Sequence, residues 1–288
     1  IVSAIKNDEH SVSIRHARLT PADFSAFLPS LFPWQSPYML DVEAKGNQDL
    51  VLIDGFALKR EDGAMNLEMV GNVSGLSEMS GLEAAVRSLT LSAGPGAIAS
   101  LLMAFAGDKP DVASRISGLG SVSANLEGAL RMSDKALVLS GDVDTDAGDV
   151  VLDVRGFWKD ARNMSARGRV SVSDVDLARL VGDQRLGQAA LDLDADVTVS
   201  GGDLSGQIMA EIPFIDFKGN RIENIHAEGN KDGNVISGKI SVDDGIASLD
   251  AVASCVLAGE RSQWRLDADI EEFHPDALGP VSYTHLTL

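Results

Sequence analysis

Alternation of apolar and polar residues over most of the chain is the feature that most limits how it can fold. It is clearest from residue 164 to 172, where Met164, Val170 and Val172 stand among polar neighbours, and again from residue 191 to 199. A period of two is that of a β-strand with one apolar and one wet face. Because the pattern recurs from residue 12 to residue 270, it predicts a mainly β protein.

Turn residues divide the alternating pattern into short segments. Gly, Asn and Asp stand between the segments, as in tight hairpin connections, so we predict one long antiparallel meander. Glycines inside the strands favour a curved sheet. The predicted strands cover residues 12–16, 38–44, 50–58, 65–73, 86–91, 122–130, 137–143, 150–158, 164–173, 191–199, 204–212, 214–217, 222–227, 235–242, 246–257 and 264–270.

Short helices are predicted to interrupt the meander near residues 20, 96, 174 and 274. In the third of them Asp174 is expected to cap the helix and Gly182 to end it. These intervals predict a degenerate repeat over 1–279, with approximate units 1–95, 96–173 and 174–273. The last residues, 280–288, lose the alternation and are interpreted as an extraneous tail.

Charge and hydropathy exclude some classes of function. The chain has 24 Lys and Arg against 43 Asp and Glu, a net charge of −19, and no basic cluster that could neutralise phosphates, so nucleic acid is not an expected partner. The longest apolar run, 97–106, is too short to cross a bilayer, and residues 1–8 do not resemble a signal peptide.

No catalytic or metal-binding arrangement stands out, so we expect neither an enzyme nor a cofactor. Asp142, Asp144, Asp146 and Asp153 share the spacing of a calcium loop, but Ala147 stands where such a loop needs glycine. Strand patterns on both sides predict an acidic hairpin tip instead. The single cysteine, Cys255, lies in an apolar strand and is interpreted as a packed thiol.

The recurring apolar face allows two interpretations. Strands of this kind commonly pack face to face as a sandwich with a closed core. An open groove is favoured here by small aliphatic rather than aromatic residues, by a meander without an evident boundary, and by periodic short helices that could lie across it. Such a groove would hold acyl chains through burial of CH₂ groups, about 0.8 kcal/mol each.

Three short segments carry a family resemblance: residues 173–180 (SDVDLARL), 17–24 (ARLTPADF) and 212–217 (IPFIDF). They resemble the repetitive middle of TamB (translocation and assembly module) proteins of the AsmA-like superfamily, as found in Bacteroidetes-type bacteria. The resemblance spans most of 1–279. It implies an internal fragment of a long periplasmic protein that is anchored to the inner membrane and folds as a curved, taco-like β-sheet with an apolar groove.

The resemblance also implies a function: phospholipid passage toward the outer membrane, or assistance to outer-membrane protein assembly with a BamA-family barrel partner. The inner-membrane anchor and the barrel-docking region are expected outside these residues.

We therefore hypothesise a non-enzymatic lipid conduit that the short helices close or gate. Alternatives are a scaffold whose sheet edge templates the strands of outer-membrane proteins, and an extracellular stalk with a solid core. The residues expected to line the groove are Leu152, Val154, Val170, Val172, Leu191, Leu193, Val197, Val199, Ile208, Ile240 and Val242.

Overall fold

The computed structural model describes residues 9–20, 22, 36–47, 49–98, 118–160, 162–245, 247–257 and 262–273. The described part is mainly β, and the chain divides into two compact units. Unit 1 spans Ile1–Trp158 and unit 2 spans Lys159–Leu288.

Unit 1 is an antiparallel meander in which each described strand pairs with the next one along the chain. A single 3₁₀ turn, Met79–Gly81, lies between the fourth and fifth strands. The strands are β1 (His10–Leu19), β2 (Tyr38–Gly46), β3 (Leu50–Arg60), β4 (Met65–Ser74), β5 (Glu83–Ala93), β6 (Val122–Arg131), β7 (Ala136–Thr145) and β8 (Gly148–Asp160), which ends at the unit boundary.

Unit 2 is a second antiparallel meander with the same neighbour-to-neighbour pairing. One short helix, α1 (Leu177–Val181), follows its first strand. Its strands are β9 (Asn163–Asp176), β10 (Leu186–Ser200), β11 (Asp203–Phe217), β12 (Asn220–Asp232), β13 (Val235–Asp243), β14 (Ala247–Val256) and β15 (Gln263–Phe273).

The predicted fold class is confirmed: the described part is mainly β, each unit is an open, curved antiparallel meander, and short helices interrupt the strands. Within each unit the described strands form a single layer, so they do not pack as the two facing sheets of a sandwich.

The division of β11 was predicted wrongly, and several other strands extend beyond their predicted ends. Residues 204–212 and 214–217, predicted as two strands, belong to the single strand β11. Proline lacks the N–H that a ladder needs and is confined to edges and bulges. Pro213 lies at a bulge, since Ile212 and Pro213 on β11 stand against Leu191 alone on β10. The strand therefore continues through the proline.

The predicted helix after β9 is present, but its capping residue was predicted wrongly. The side chain of Asp176, not Asp174, accepts a hydrogen bond from the Arg179 N–H at 3.0 Å. Asp174 still belongs to β9, which pairs with β10 as far as Asp176. Gly182 ends the helix as predicted, in the left-handed conformation (φ 77°), with its N–H donating to the Ala178 carbonyl at 2.9 Å.

The other predicted helices fall largely outside the described residues. The chain is helical at 95–98, where the second was expected, and the remainder of that segment lies beyond the described part. The helices predicted near residues 20 and 274 and the tail 280–288 also lie outside it, apart from a single 3₁₀ position at residue 22.

The main core lies at one end of the apolar face of unit 1. In the helical turn at 95–98, the N–H groups of Ala97 and Ile98 both donate to the Gly94 carbonyl. This turn buries Ala97 and Ile98 against Tyr38 and Met65. Several partly buried leucines, including Leu58 and Leu91, extend the cluster along the strands. At this end the turn therefore covers the apolar side of the sheet.

Candidate functional site

Strand register defines a continuous apolar face on unit 2. Directly opposed residues in antiparallel strands point to the same side, so successive pairings trace rows of side chains across the sheet. We call the residues of these rows the unit-2 apolar face. Row 1 is Val172, Leu191, Ile212, Ile225, Val242, Leu249 and Ile270; row 2 is Val170, Leu193, Ala210, Ala227, Ile240, Ala251 and Ala268; row 3 is Gly168, Ala195, Ile208, Gly229, Gly238, Ala253 and Leu266; row 4 is Ala166, Val197, Gly206, Lys231, Ile236, Cys255 and Trp264; and a shorter row 5 is Met164, Val199 and Leu204.

This face is largely uncovered. Ile208 is 45% exposed, Leu266 71% and Trp264 76%, whereas in the rows only Ile225 and Cys255 are buried. The buried thiol agrees with the packed cysteine predicted from the sequence. A ligand could therefore remove the exposed aliphatic side chains of this face from water.

The middle of the face is lower than its margins. Five of the seven residues in row 3 are Gly or Ala, and Gly229 stands directly opposite Gly238. A Cβ added at Gly229 would meet no atom within 4 Å. Bulkier Val, Ile and Leu side chains make up row 1. The small residues Gly229, Gly238 and Ala253 therefore leave a shallow furrow in row 3 between Ile208 and Leu266.

The alternate positions of the same strands form a charged side. Ion pairs join neighbouring strands there: Arg169 with Asp194 at 3.5 Å and Lys239 with Asp250 at 3.6 Å. Exposed pairs of this kind stabilise a protein by up to about 1 kcal/mol each. Their main consequence is that unit 2 is amphipathic, with one apolar and one water-compatible side.

His226 links two strands on the charged side. Its Nδ1 lies 2.6 Å from Glu211 Oε1 and its Nε2 lies 3.0 Å from Glu228 Oε1. Only the imidazolium donates from both ring nitrogens. The hydrogen bond with Glu228, followed by that with Glu211, raises the pKa of His226 above its ordinary value.

A recess of about 350 Å³ also opens on the charged side of unit 2. It is lined by Asp194, Gln207, Met209, Glu228 and Lys239 among others. The charges in it are already compensated, because Asp194, Glu228 and Lys239 have partners in Arg169, His226 and Asp250. The recess is therefore a weaker candidate for ligand binding than the apolar face.

Unit 1 carries an apolar face of its own with larger side chains. Leu152 and Val154, both predicted as groove-lining, are half-buried on this face. Its central rows are Leu40, Leu58, Leu67, Leu91, Ala124, Val143 and Val150; Val42, Phe56, Met69, Leu89, Leu126, Gly141 and Leu152; and Ala44, Ile53, Gly71, Val86, Gly128, Leu139 and Val154.

The structure brings the other nine predicted lining residues together on the unit-2 apolar face. They are Val170, Val172, Leu191, Leu193, Val197, Val199, Ile208, Ile240 and Val242.

Among the residues of the same face that sequence reasoning missed are three exposed side chains of β15 and one lysine. Trp264, Leu266 and Ile270 belong to β15, where the alternation of apolar and polar residues in the sequence could have identified them. Lys231 breaks the apolar pattern, and it is the register with Gly206 and Ile236 that places it on the face.

The acidic segment around Asp146 is a hairpin tip, as predicted. Strands β7 and β8 meet at a turn after Thr145, the Asn125 side chain donates to Asp142 at 2.9 Å, and the Ser121 N–H donates to Asp146 at 3.0 Å. In the described part of the chain no group of three or more His, Cys, Asp and Glu side chains could hold a metal ion.

None of the helices within the described ranges has the length and apolar character needed to span a membrane. Comparison of the chain with protein-family models, with curated proteins and with solved structures gives no match.

Proposed function

We propose that this chain is a non-enzymatic segment of a lipid conduit, on which phospholipid acyl chains travel along apolar sheet faces between the inner and outer membranes. The observation that carries the proposal is the unit-2 apolar face, which spans seven strands and leaves aliphatic side chains such as Ile208 and Ile240 in water. Exposed apolar patches of this extent mark interaction sites in soluble proteins.

The chemistry of the face suits an acyl chain. Each CH₂ group removed from water contributes about 0.8 kcal/mol, and no directional partner is needed. Most of the lining is Val, Ile, Leu, Ala and Gly, so the face would attract chains of different lengths. The charged side of the same strands and the net charge of −19 would keep such a sheet soluble while its apolar side carries lipid.

The membrane setting rests on the TamB resemblance alone. In this proposal the protein is periplasmic, an inner-membrane anchor precedes these residues, and a region beyond them meets a BamA-family barrel. The described residues contribute the part of the path that touches the acyl chains.

Photocrosslinking tests the proposal. A photoreactive residue at Val197 should crosslink to phospholipid during expression, and Leu193→Asp should reduce that crosslinking several-fold because it places a charge on the apolar face. Val172→Asp should act in the same way. The matched control is Thr198→Asp, which adds the same charge on the opposite side of β10 and should leave crosslinking unchanged. Equal crosslinking in Leu193→Asp and Thr198→Asp would contradict the proposal.

A second candidate function is a scaffold for the assembly of outer-membrane barrels. It is favoured by β15, along which residues 263–272 are all exposed to solvent. Such a strand could pair with an incoming strand through its backbone. Mass spectrometry of the purified protein separates the two: copurifying phospholipid supports the conduit, whereas copurifying strand peptides support the scaffold. A solid-core stalk predicts neither.

A further inference from the structure

Lys231 is the one charged residue in the rows of the unit-2 apolar face. Its neighbours in row 4 are Gly206 on β11 and Ile236 on β13, and the row continues to Cys255 and Trp264. A lysine in an apolar row costs solvation unless its ammonium group reaches water or a partner. Its place therefore calls for a physical explanation.

Two backbone carbonyls position the ammonium group. Lys231 Nζ donates to the Leu204 carbonyl at 2.8 Å and to the Gly233 carbonyl at 2.7 Å, beside the turn that joins β12 to β13. An ammonium group has three N–H donors, so one remains for another acceptor. No carboxylate within the described ranges forms an ion pair with Lys231, so its charge is held at the border of the face without a paired anion.

The surroundings of Lys231 select an amphiphile rather than a small anion. The face beside it is aliphatic, and the low furrow of row 3 passes next to it at Gly229. A small anion would gain only one exposed charge contact, in a protein whose net charge of −19 repels anions. An anion that carries an acyl chain would gain both that contact and the burial of its CH₂ groups.

We infer that Lys231 binds the anionic headgroup of a lipid whose acyl chain lies on the unit-2 apolar face. This inference rests on the proposed function, which it deepens by naming the headgroup charge and the residue that recognises it. The acyl chain supplies most of the affinity, and Lys231 supplies a preference for negative headgroups and holds the lipid in one orientation.

Laurate and dodecanol test the inference, because they share a chain and differ in headgroup charge. Binding of each by the whole chain is measured by isothermal titration calorimetry at low salt. We expect laurate to bind roughly fivefold more tightly than dodecanol, the size of an exposed charge contact. Lys231→Gln should abolish or reverse that preference without weakening dodecanol binding, and Lys231→Arg should keep it. Lys239→Gln, which removes a lysine from the charged side, is the matched control and should bind as the wild type does.

Salt and headgroup-only probes complete the design. In 1 M NaCl the Debye length falls to about 3 Å, so the preference for laurate should shrink. Acetate, the headgroup without the chain, should not bind measurably; tight binding of acetate through Lys231 would overturn the inference in favour of a small-anion site.

The headgroup role of Lys231 and the lipid conduit can be disproved separately. If the wild type binds laurate and dodecanol equally well, the role of Lys231 is wrong while the lipid conduit stands. If neither ligand binds the wild type, the conduit proposal fails and the inference fails with it. Loss of both ligands only in Lys231→Gln, with Lys231→Arg normal, would show that Lys231 supports the fold of the face and would also overturn the headgroup role.

Discussion

Unit 1 builds a core at one end of its apolar face under the helical turn at 95–98, whereas the unit-2 apolar face stays largely exposed, although α1 contacts β10. Met65 is 1% exposed and Tyr38 is likewise buried, while Ile240 in the middle of the unit-2 face is 40% exposed. Both units share the same alternation and the same meander. Within this one chain, an amphipathic sheet therefore forms a core where a helical turn packs on its apolar face. Where no such turn is packed on it, the apolar face stays available for a ligand.

The two units also differ in the interactions that stabilise their folds. Fully burying a large aliphatic side chain contributes about 1.5–3 kcal/mol, and unit 1 holds most of the fully buried apolar residues. Unit 2 has mainly half-buried side chains, strand pairing and cross-strand polar contacts. We therefore expect core substitutions to matter most in unit 1 and local contacts to matter most in unit 2.

The largest expected effect is that of Met65→Ala. It removes a side chain packed beneath the turn at 95–98 and should cost about 2–5 kcal/mol of unfolding free energy. Ile240→Ala in unit 2 should cost less than about 1.5 kcal/mol, since much of Ile240 is already in water. Hydrogen exchange of peptides from β4 and β13 measures each unit separately. Equal losses in the two variants would break the comparison.

A smaller effect is expected at the cap of α1. Asp176→Ala removes the side chain that accepts from the Arg179 N–H and should destabilise the helix by about 1 kcal/mol. Asp174→Asn, which keeps a residue tolerant of the left-handed backbone at φ 49°, should change little. Faster hydrogen exchange at residues 177–182 in Asp176→Ala alone is the expected readout. A larger effect at Asp174 would restore the cap that the sequence pattern predicts.

The cap and the bulge show how far the sequence determines the fold. Alternation placed the strands because a period of two follows directly from strand geometry. The sequence pattern pointed to Asp174 as the cap, and this was wrong because pairing with β10 keeps Asp174 in the strand and leaves Asp176 to cap. Nor did it show that β11 continues through Pro213, because the bulge that accommodates the proline depends on the partner strand.

The same limit applies to the candidate site. Side-chain alternation grouped Leu193, Val197 and Val199 on one side of β10 without any knowledge of the neighbours. The furrow at Gly229 and the placement of Lys231 depend instead on which residue stands opposite which, and that is set by turns and bulges. The alternation of apolar and polar residues identifies the face, and the strand register determines its shape and the position of its one charge.

The next prediction separates ligand binding from stability within unit 2. Gly229→Val adds a side chain to the furrow at a position where a Cβ meets no atom within 4 Å, so it should reduce laurate and dodecanol affinity several-fold. It should also stabilise β12 by about 0.5–1 kcal/mol, because glycine is unfavourable inside a strand. Calorimetric titration and hydrogen exchange report the two effects. Gly238→Val is the matched comparison. Its Cβ would lie 3.0 Å from the Glu228 carbonyl oxygen, so this substitution should destabilise the sheet. Unchanged affinity in Gly229→Val would show that the furrow is not the binding surface.

The smallest expected effect is the pH dependence of the contact between β11 and β12. Hydrogen bonds with Glu228 and then Glu211 raise the pKa of His226 in the folded protein, so the folded state holds this proton more tightly than the unfolded state does. The resulting stabilisation is complete below the unfolded pKa of about 6.5 and is lost as pH rises through the folded-state pKa above it.

Above that pKa the neutral ring no longer donates to both carboxylates, and Glu211 then faces Asp192 across the sheet without a nearby positive charge on His226. Hydrogen exchange of β11 and β12, corrected for intrinsic rates, should therefore show protection that declines as the pH rises above about 6.5 in the wild type and is flat in His226→Gln. Parallel pH profiles for the two proteins would mean that strand pairing alone holds this part of unit 2, and would remove its polar contacts from the comparison with unit 1.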